Sequence, residues 1–323
     1  VHRLQNLGRN PRKTNGISNP HTPLYIGRFA PSPTGPLHLG SLFTALASYL
    51  DARANRGQWL LRIDDLDTPR NRKGAADSIL STLENFGLYW DGAVDFQNRH
   101  LEFYQHELEK LRQKDGLYAC TCSRKTLSDY PQTGIYPGLC RTTPPNAQTP
   151  SALRVKTGHT LIAFDDLLQG KLSRNLATQD GDFIVKRKDG IFAYPFSVVV
   201  DDYRQGVTAV VRGFDLFYET PKQIFLQHQL NYPQPSYLHI PVIVDTHGQK
   251  LSKQNFAKPV VAENKRMVIF ELLHLLGQKP PEALKTLPVS QQLEWAYTNW
   301  TPSALTGQQQ LSQYHHQELP ITT

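Results

Sequence analysis

Three prolines and a glycine crowd into Ala30-Pro31-Ser32-Pro33-Thr34-Gly35-Pro36, and no other feature limits the possible folds of this chain as much. Proline fixes φ and lacks an N–H, so neither a helix nor an interior strand can run through the segment. It must be a fixed loop. Before it, residues 25–29 read as a short strand. After it, Leu39, Leu42, Phe43, Leu46, Tyr49 and Leu50 recur at helical spacing and mark an amphipathic helix to about Arg56, with Gly57 placed to close it. Residues 59–64 read as the next strand. A strand–loop–helix–strand unit of this kind opens a parallel sheet, so the expected fold class is α/β, a doubly wound, Rossmann-type domain.

The rest of the chain continues in the same style. Thr68-Pro69 resembles a helix start, with Thr68 as N-cap and proline in the first helical position. Ala76, Ile79, Leu80, Leu83 and Phe86 give that helix an apolar face ending at Gly87. Leu101, Tyr104, Leu108 and Leu111 supply another, stopped near Asp115-Gly116, and residues 116–150 read as loop. Residues 183–187 and 191–196 flank a Lys-Asp-Gly turn and predict a hairpin. A strand over 207–212, a helix over 221–230 and a strand over 237–244 follow, then helical stretches at 272–276 and 293–297. Five segments are expected: a disordered basic tail over 1–20, the first half of a nucleotide-binding domain over 21–115, an inserted metal-binding subdomain over 116–195, the second half over 196–275, and a short helical C-terminal region over 276–323 whose polar end frays.

With 39% apolar residues in 323, the chain can bury a sizeable core. No apolar run approaches the roughly 20 residues that span a bilayer, and the N-terminus lacks a signal-peptide pattern. The expectation is a cytoplasmic monomer without a membrane partner. The net charge of +7 is a weak argument for nucleic-acid binding by the folded part, because four of those charges, Arg3, Arg9, Arg12 and Lys13, lie in an N-terminal stretch with no acidic residue.

Two short motifs point to chemistry. Pro36-Leu37-His38-Leu39-Gly40-Ser41 lies where the first strand turns into the first helix, and free N–H groups at a helix start favour phosphate. His38 can donate to a phosphate oxygen, and Gly40, having no Cβ, admits adenine or ribose. Lys250-Leu251-Ser252-Lys253 follows about 210 residues later, also after a strand. A loop with two ammonium groups can close over a triphosphate as charge develops. Each motif alone is commonplace; the pair, in this order and context, points to adenylate formation from ATP.

The flanking residues make the resemblance specific. Arg28-Phe29-Ala30-Pro31-Ser32-Pro33-Thr34-Gly35-Pro36-Leu37-His38-Leu39-Gly40 resembles the signature of glutamyl-tRNA synthetases, within the class I aminoacyl-tRNA synthetases. Leu61-Arg62-Ile63-Asp64-Asp65-Leu66-Asp67 and Val211-Arg212-Gly213-Phe214-Asp215-Leu216 resemble two further blocks, and the match runs in order from about Tyr25 to Asn255. The resemblance implies that ATP, with Mg²⁺, is held by His38, Gly40, Ser41, Lys250, Ser252 and Lys253, with His38 and Lys253 catalytic. It also implies a glutamate site of Arg28, Ala30, Ser32, Asp64, Tyr194 and Arg212. The chemistry agrees: glutamate brings two carboxylates and one ammonium, so two arginines able to grip carboxylates bidentately and one carboxylate suit it. Read without the resemblance, Asp64, Asp65 and Asp67 can equally cap a helix or bind Mg²⁺, and Tyr194 can be core. Asp64 stands where the family usually has Glu, Ser41 replaces a second histidine, and Leu251 and Gln254 replace the commoner Met and Ser.

Cys120, Cys122 and Cys140 are the only cysteines, an odd and tightly grouped set that favours metal ligation over disulfides. Structural zinc takes four ligands. On spacing alone, a metal and buried thiols both remain open. The pattern Cys-x-Cys…Tyr-x-x-x-Cys is similar to the zinc site of the glutamyl-Q tRNA(Asp) synthetase family, which implies one structural Zn²⁺ with Tyr136, or else Asp129 or a water, as fourth ligand. Only 69 residues follow Gln254, too few for the anticodon-binding region of glutamyl-tRNA synthetases. This again resembles the glutamyl-Q family, which activates L-glutamate without tRNA and attaches it to queuosine in the anticodon of tRNA(Asp). The alternative is a truncated glutamyl-tRNA synthetase charging the 3′ end of tRNA(Glu). A small-molecule adenylyltransferase and a silent RNA-binding paralogue are the more distant readings.

Overall fold

A computed structural model describes residues 24–130, 135–245, 260 and 262–312. The arm over 1–20 and the Lys250-Leu251-Ser252-Lys253 motif lie outside the described residues. Strand β1 (Ile26–Phe29) runs into the proline loop, and helix α1 (Leu39–Ala54) returns the chain to β2 (Gln58–Ile63), which pairs parallel to β1 with Phe29 opposite Leu61. Arg56, not Gly57, takes the left-handed turn that ends the helix (φ 53°). Gly57 meets a different need, since a Cβ there would lie 2.4 Å from the Tyr25 carbonyl oxygen.

The helix expected to start at Thr68 does not. Thr68–Arg70 makes one 3₁₀ turn that ends at Asn71 in extended backbone (ψ 138°), and α2 (Ala75–Asn85) begins separately after Gly74 at φ 77°. Strand β3 (Asp95–Phe96) extends the parallel sheet beside β2, and α3 (Leu101–Gln113) buries Tyr104, Leu108 and Leu111.

The segment read as loop contains β4 (Leu117–Cys120) and two short helices, α4 (Arg124–Ser128) and α5 (Leu139–Thr142). A four-residue strand shows no readable alternation; β4 is defined by its antiparallel partner β5 (Ala152–Val155). Next come the antiparallel pair β6 (Leu161–Asp166) and β7 (Gly170–Asn175), then α6 (Leu176–Gln179) and β8 (Ile184–Lys186), which joins β5. The turn after β8 forms as expected, but its second arm makes a single bridge, Lys186 to Phe192, before α7 (Tyr194–Arg204) begins. Pro195 is the reason, since proline in the first turn of a helix loses no hydrogen bond.

Strand β9 (Ala209–Gly213) lies beside β1, joined where the Thr208 N–H donates to the Ile26 carbonyl (2.9 Å). Helix α8 (Thr220–Leu230) crosses to β10 (Ser236–Ile240), parallel to β9, and β10 in turn meets β6. Across the molecule the strands therefore run β3-β2-β1-β9-β10-β6-β7, a doubly wound α/β arrangement that reverses direction between β1 and β9. Pro241 interrupts what the sequence presents as one strand, leaving β11 (Val242–Val244) to pair with the distant β12 (Gln310–Ser312). Before β12, α9 (Lys265–Leu275) and α10 (Val289–Thr298) complete the apolar core on the α1 side. No helix of the described residues is long and apolar enough to cross a membrane.

Candidate functional site

The reversal between β1 and β9 opens a cleft lined by Ser32, His38, Gly40, Ser41, Gly213 and Ile243, outside the carboxyl ends of the strands. His38 is the N-cap of α1, its Nδ1 accepting the Ser41 N–H at 3.3 Å and its Nε2 lying 2.9 Å from Ser41 Oγ. The first turn of α1 carries no acidic side chain, and its N–H groups and dipole face a cleft whose lining includes one carboxylate, Asp215. His38, Gly40, Ser41 and Ser32 thus meet in one place. Ala30 continues the chain from β1 into the same loop.

Below the cleft lies a buried ionic cluster. Arg28 donates from Nε to both oxygens of Asp202 (3.2 and 3.3 Å). Arg62, fully buried in β2, donates to Asp64 (2.8 Å), Asp202 (2.8 Å) and Gln205 (2.7 Å), and also faces Asp201 at 3.7 Å. Tyr104 and Gln97 donate to Asp201. Burial pushes the Asp64 carboxyl up to about 6 although Arg62 opposes the shift. Asp202 is also pushed up by burial, but Arg28 and Arg62 outweigh it and hold it below the usual carboxylate range. Asp64 therefore caps no helix; its ion-pair partner is Arg62. Asp65 accepts the Asn98 N–H (2.9 Å), and Asp67 pairs with Arg70 and Arg187.

Arg212, on β9, has different company. Its Nε donates to His239 Nε2 (2.9 Å), Nη2 to Thr220 Oγ1 (2.7 Å) and the Leu216 carbonyl (3.5 Å), and Nη1 to Tyr194 Oη (3.4 Å). His239 is fully buried beside it on β10, and its Nδ1 lies 2.5 Å from Asp166 at the end of β6. Burial and Arg212 lower the histidine to about 4, so it is neutral, with its proton on Nδ1 and a bare Nε2 toward Arg212. The Nε–Nη2 edge of Arg212, one of the two edges a bidentate grip could use, is taken by protein partners, which leaves Nη1, beside the partly exposed Tyr194.

Far from the cleft in sequence, the thiols of Cys120, Cys122 and Cys140 lie within 4.8 Å of one another and can hold a metal ion. The Tyr136 Oη lies 3.4 Å from both Cys120 Sγ and Cys122 Sγ, and it accepts the Cys140 N–H at 2.9 Å. Cys122 and Cys140 Sγ are 3.5 Å apart. Burial raises the Cys140 thiol, but hydrogen bonds from Thr121, Tyr136 and Cys122 outweigh it and bring the thiol down to about 6. Arg154, on β5, donates to Cys120 Sγ (3.2 Å) and lies with its guanidinium carbon 3.7 Å from the Tyr136 ring centroid.

Sequence reading missed Arg62, Asp201, Asp202, Asp166, His239 and Arg154. The available signal was charge inside apolar runs: Arg62 between Leu61 and Ile63, and Asp201-Asp202 directly after Val198-Val199-Val200. Such charges stay buried only when paired.

Residues 26–303 match the model of the family described as tRNA synthetases class I (E and Q), catalytic domain. A glutamyl-Q tRNA(Asp) synthetase of Aromatoleum aromaticum is 48% identical over 86% of this chain and 90% of the relative. One of Dechloromonas aromatica is 47% identical over 88% and 96%. Among solved structures, a glutamate tRNA ligase of Elizabethkingia meningosepticum in complex with its amino acid superposes with a TM-score of 0.72 at 24% identity, covering 88% of this chain and 66% of that one, a likeness in fold.

Proposed function

We infer the function of this chain from its family: it belongs to the class I tRNA synthetases for glutamate and glutamine, and within them to the glutamyl-Q tRNA(Asp) synthetases. It is a ligase that activates L-glutamate with ATP, without tRNA, and transfers the glutamate to queuosine in the anticodon of tRNA(Asp). The observation that carries this reading is the near-50% identity maintained over nine-tenths of a relative of that name.

In the first half-reaction a carboxylate oxygen of glutamate attacks the α-phosphorus of ATP, and pyrophosphate leaves. His38, Gly40, Ser41 and the N–H groups of α1 receive the phosphates. Lys250, Ser252 and Lys253 are assigned to the same task on the sequence pattern, with Mg²⁺ accompanying ATP. Arg28 and Arg212 take the two carboxylates, Asp64 the ammonium, and Tyr194, Ser32 and Ala30 complete the glutamate site. Arg28 has both Nη groups to offer, since its hydrogen bonds among the described residues leave from Nε. The glutamyl group then passes to queuosine, and AMP leaves as the acyl–phosphate bond breaks. The segments 21–115 and 196–275 are assigned to the catalytic domain around the segment 116–195, whose strands β6 and β7 join the main sheet; the region 276–323 follows, and the chain is assigned as a cytoplasmic monomer.

The cysteine cluster fits one structural Zn²⁺. Tetrahedral zinc with bonds of about 2.3 Å to sulfur and about 2.0 Å to oxygen sets ligand atoms about 3.5–3.8 Å apart. The distances of 3.4 and 3.5 Å among Tyr136 Oη and the thiols match that shell. Cys120, Cys122, Cys140 and Tyr136 would hold the ion, which would cross-link β4 to α5. Metal analysis of chelator-free protein should give one equivalent of zinc, and Cys140→Ser should lose it.

Pyrophosphate exchange tests the activation step. Exchange with glutamate and ATP alone is expected; strict dependence on tRNA(Glu) would replace this reading with the 3′-end alternative.

A further inference from the structure

Strands β9 and β10 set Arg212 opposite His239, and Asp166, opposite Tyr237 at the end of β6, reaches His239 with its carboxylate; all three are buried. The Asp166 carboxylate also accepts the N–H groups of Leu168, Gln169 and His239, which fixes it as an anion and fixes the proton on His239 Nδ1. Buried arginines are ordinarily held by carboxylates, as Arg28 and Arg62 are here. Arg212 makes no ion pair among the described residues; its Nε–H is taken by a neutral imidazole. Four of its five N–H groups are committed, and one on Nη1 is left beside Tyr194.

We propose that His239, fixed by Asp166, is a positioning residue that aims Arg212 while leaving its positive charge unneutralised, so that Arg212 binds one substrate carboxylate end-on through Nη1. This rests on the assignment of Arg212 to the glutamate site. A carboxylate at position 239 would hold the guanidinium equally well but cancel its charge, and the incoming glutamate would then meet a neutral pair. A neutral acceptor separates orientation from charge. Asp166 supplies the tautomer, because only a histidine protonated on Nδ1 presents a lone pair at Nε2.

Steady-state pyrophosphate exchange on full-length variants reads the device. His239→Leu, which removes the acceptor, is expected to raise the KM for glutamate about 10- to 100-fold with the KM for ATP unchanged. His239→Gln, a neutral acceptor, should recover most of the loss, and His239→Glu, an acceptor with a charge, should not. Asp166→Asn donates an N–H to Nδ1, moves the proton to Nε2 and should raise the glutamate KM as His239→Leu does, which supplies a second route should the leucine variant fail to fold. Equal glutamate KM values for His239→Leu and His239→Gln, or a parallel rise in the ATP KM, would overturn the proposal. Arg212→Met separates the two levels. If it leaves the glutamate KM intact, the assignment of Arg212 itself fails; if it raises KM while His239→Leu does not, only the role of His239 fails.

Discussion

The two arginine environments under the cleft are built oppositely. Around Arg62, three carboxylates, Asp64, Asp201 and Asp202, are balanced by three arginines, Arg62, Arg28 and Arg204. Around Arg212, every partner among the described residues is neutral: an imidazole, two hydroxyls and a carbonyl. Charge in the first region ties β1, β2 and α7 together, with Arg28 and Asp64 also assigned to glutamate; charge in the second has no ion-pair partner among the described residues and is proposed to meet one substrate carboxylate. Removing one member of a neutralised cluster strands buried charge, whereas removing a charge with neutral partners strands only hydrogen bonds.

Substitutions break this comparison in a definite order. Arg62→Met leaves Asp64 without its ion-pair partner, and Asp201 and Asp202 with only Arg204 and Arg28, and should cost about 3–5 kcal/mol in denaturant unfolding. Arg212→Met should cost about 1–2 kcal/mol in the same measurement, though it should impair glutamate use far more than its stability loss implies. Equal losses from the two would erase the distinction. A pH profile sharpens it. Folding raises the Asp64 carboxyl to about 6, so its ionised form weighs against stability above that pH, and the weight is relieved as pH falls toward the ordinary carboxylate value. Protonated Asp64 offers no charge to an ammonium, so the glutamate KM should climb, by about tenfold per pH unit at most, as pH falls below about 6. Asp64→Asn should begin at the raised KM and show no such climb. His239, lowered to about 4, stays neutral through that range and leaves the limb to Asp64. The smallest effect belongs to Tyr194→Phe. Its contact with Arg212 is long at 3.4 Å, and a change of about two- to fivefold in the glutamate KM is expected.

Much of this was legible in the residues. Leu39 to Leu50 and Leu101 to Leu111 have the helical period, and the proline loop could only join a strand to a helix, so the first half of the sheet followed. Elements defined by a partner rather than by their own pattern were not legible: β4 depends on β5, and the single 3₁₀ turn at Thr68 depends on where Asn71 leads the chain. The same holds in the site. His38 and Gly40 lie in a local motif and could be named. The His239–Asp166 pair is 73 residues apart and exists only because β10 lies beside β6. Sequence order carries ligands more readily than the residues that aim them.

The central claim is the acceptor, and one measurement reaches it directly: transfer of labelled glutamate, with ATP, to tRNA(Asp) with and without queuosine, beside tRNA(Glu). The account predicts label on queuosine-containing tRNA(Asp) alone. Label on tRNA(Asp) regardless of the modification, or on the 3′ end of tRNA(Glu), would contradict it.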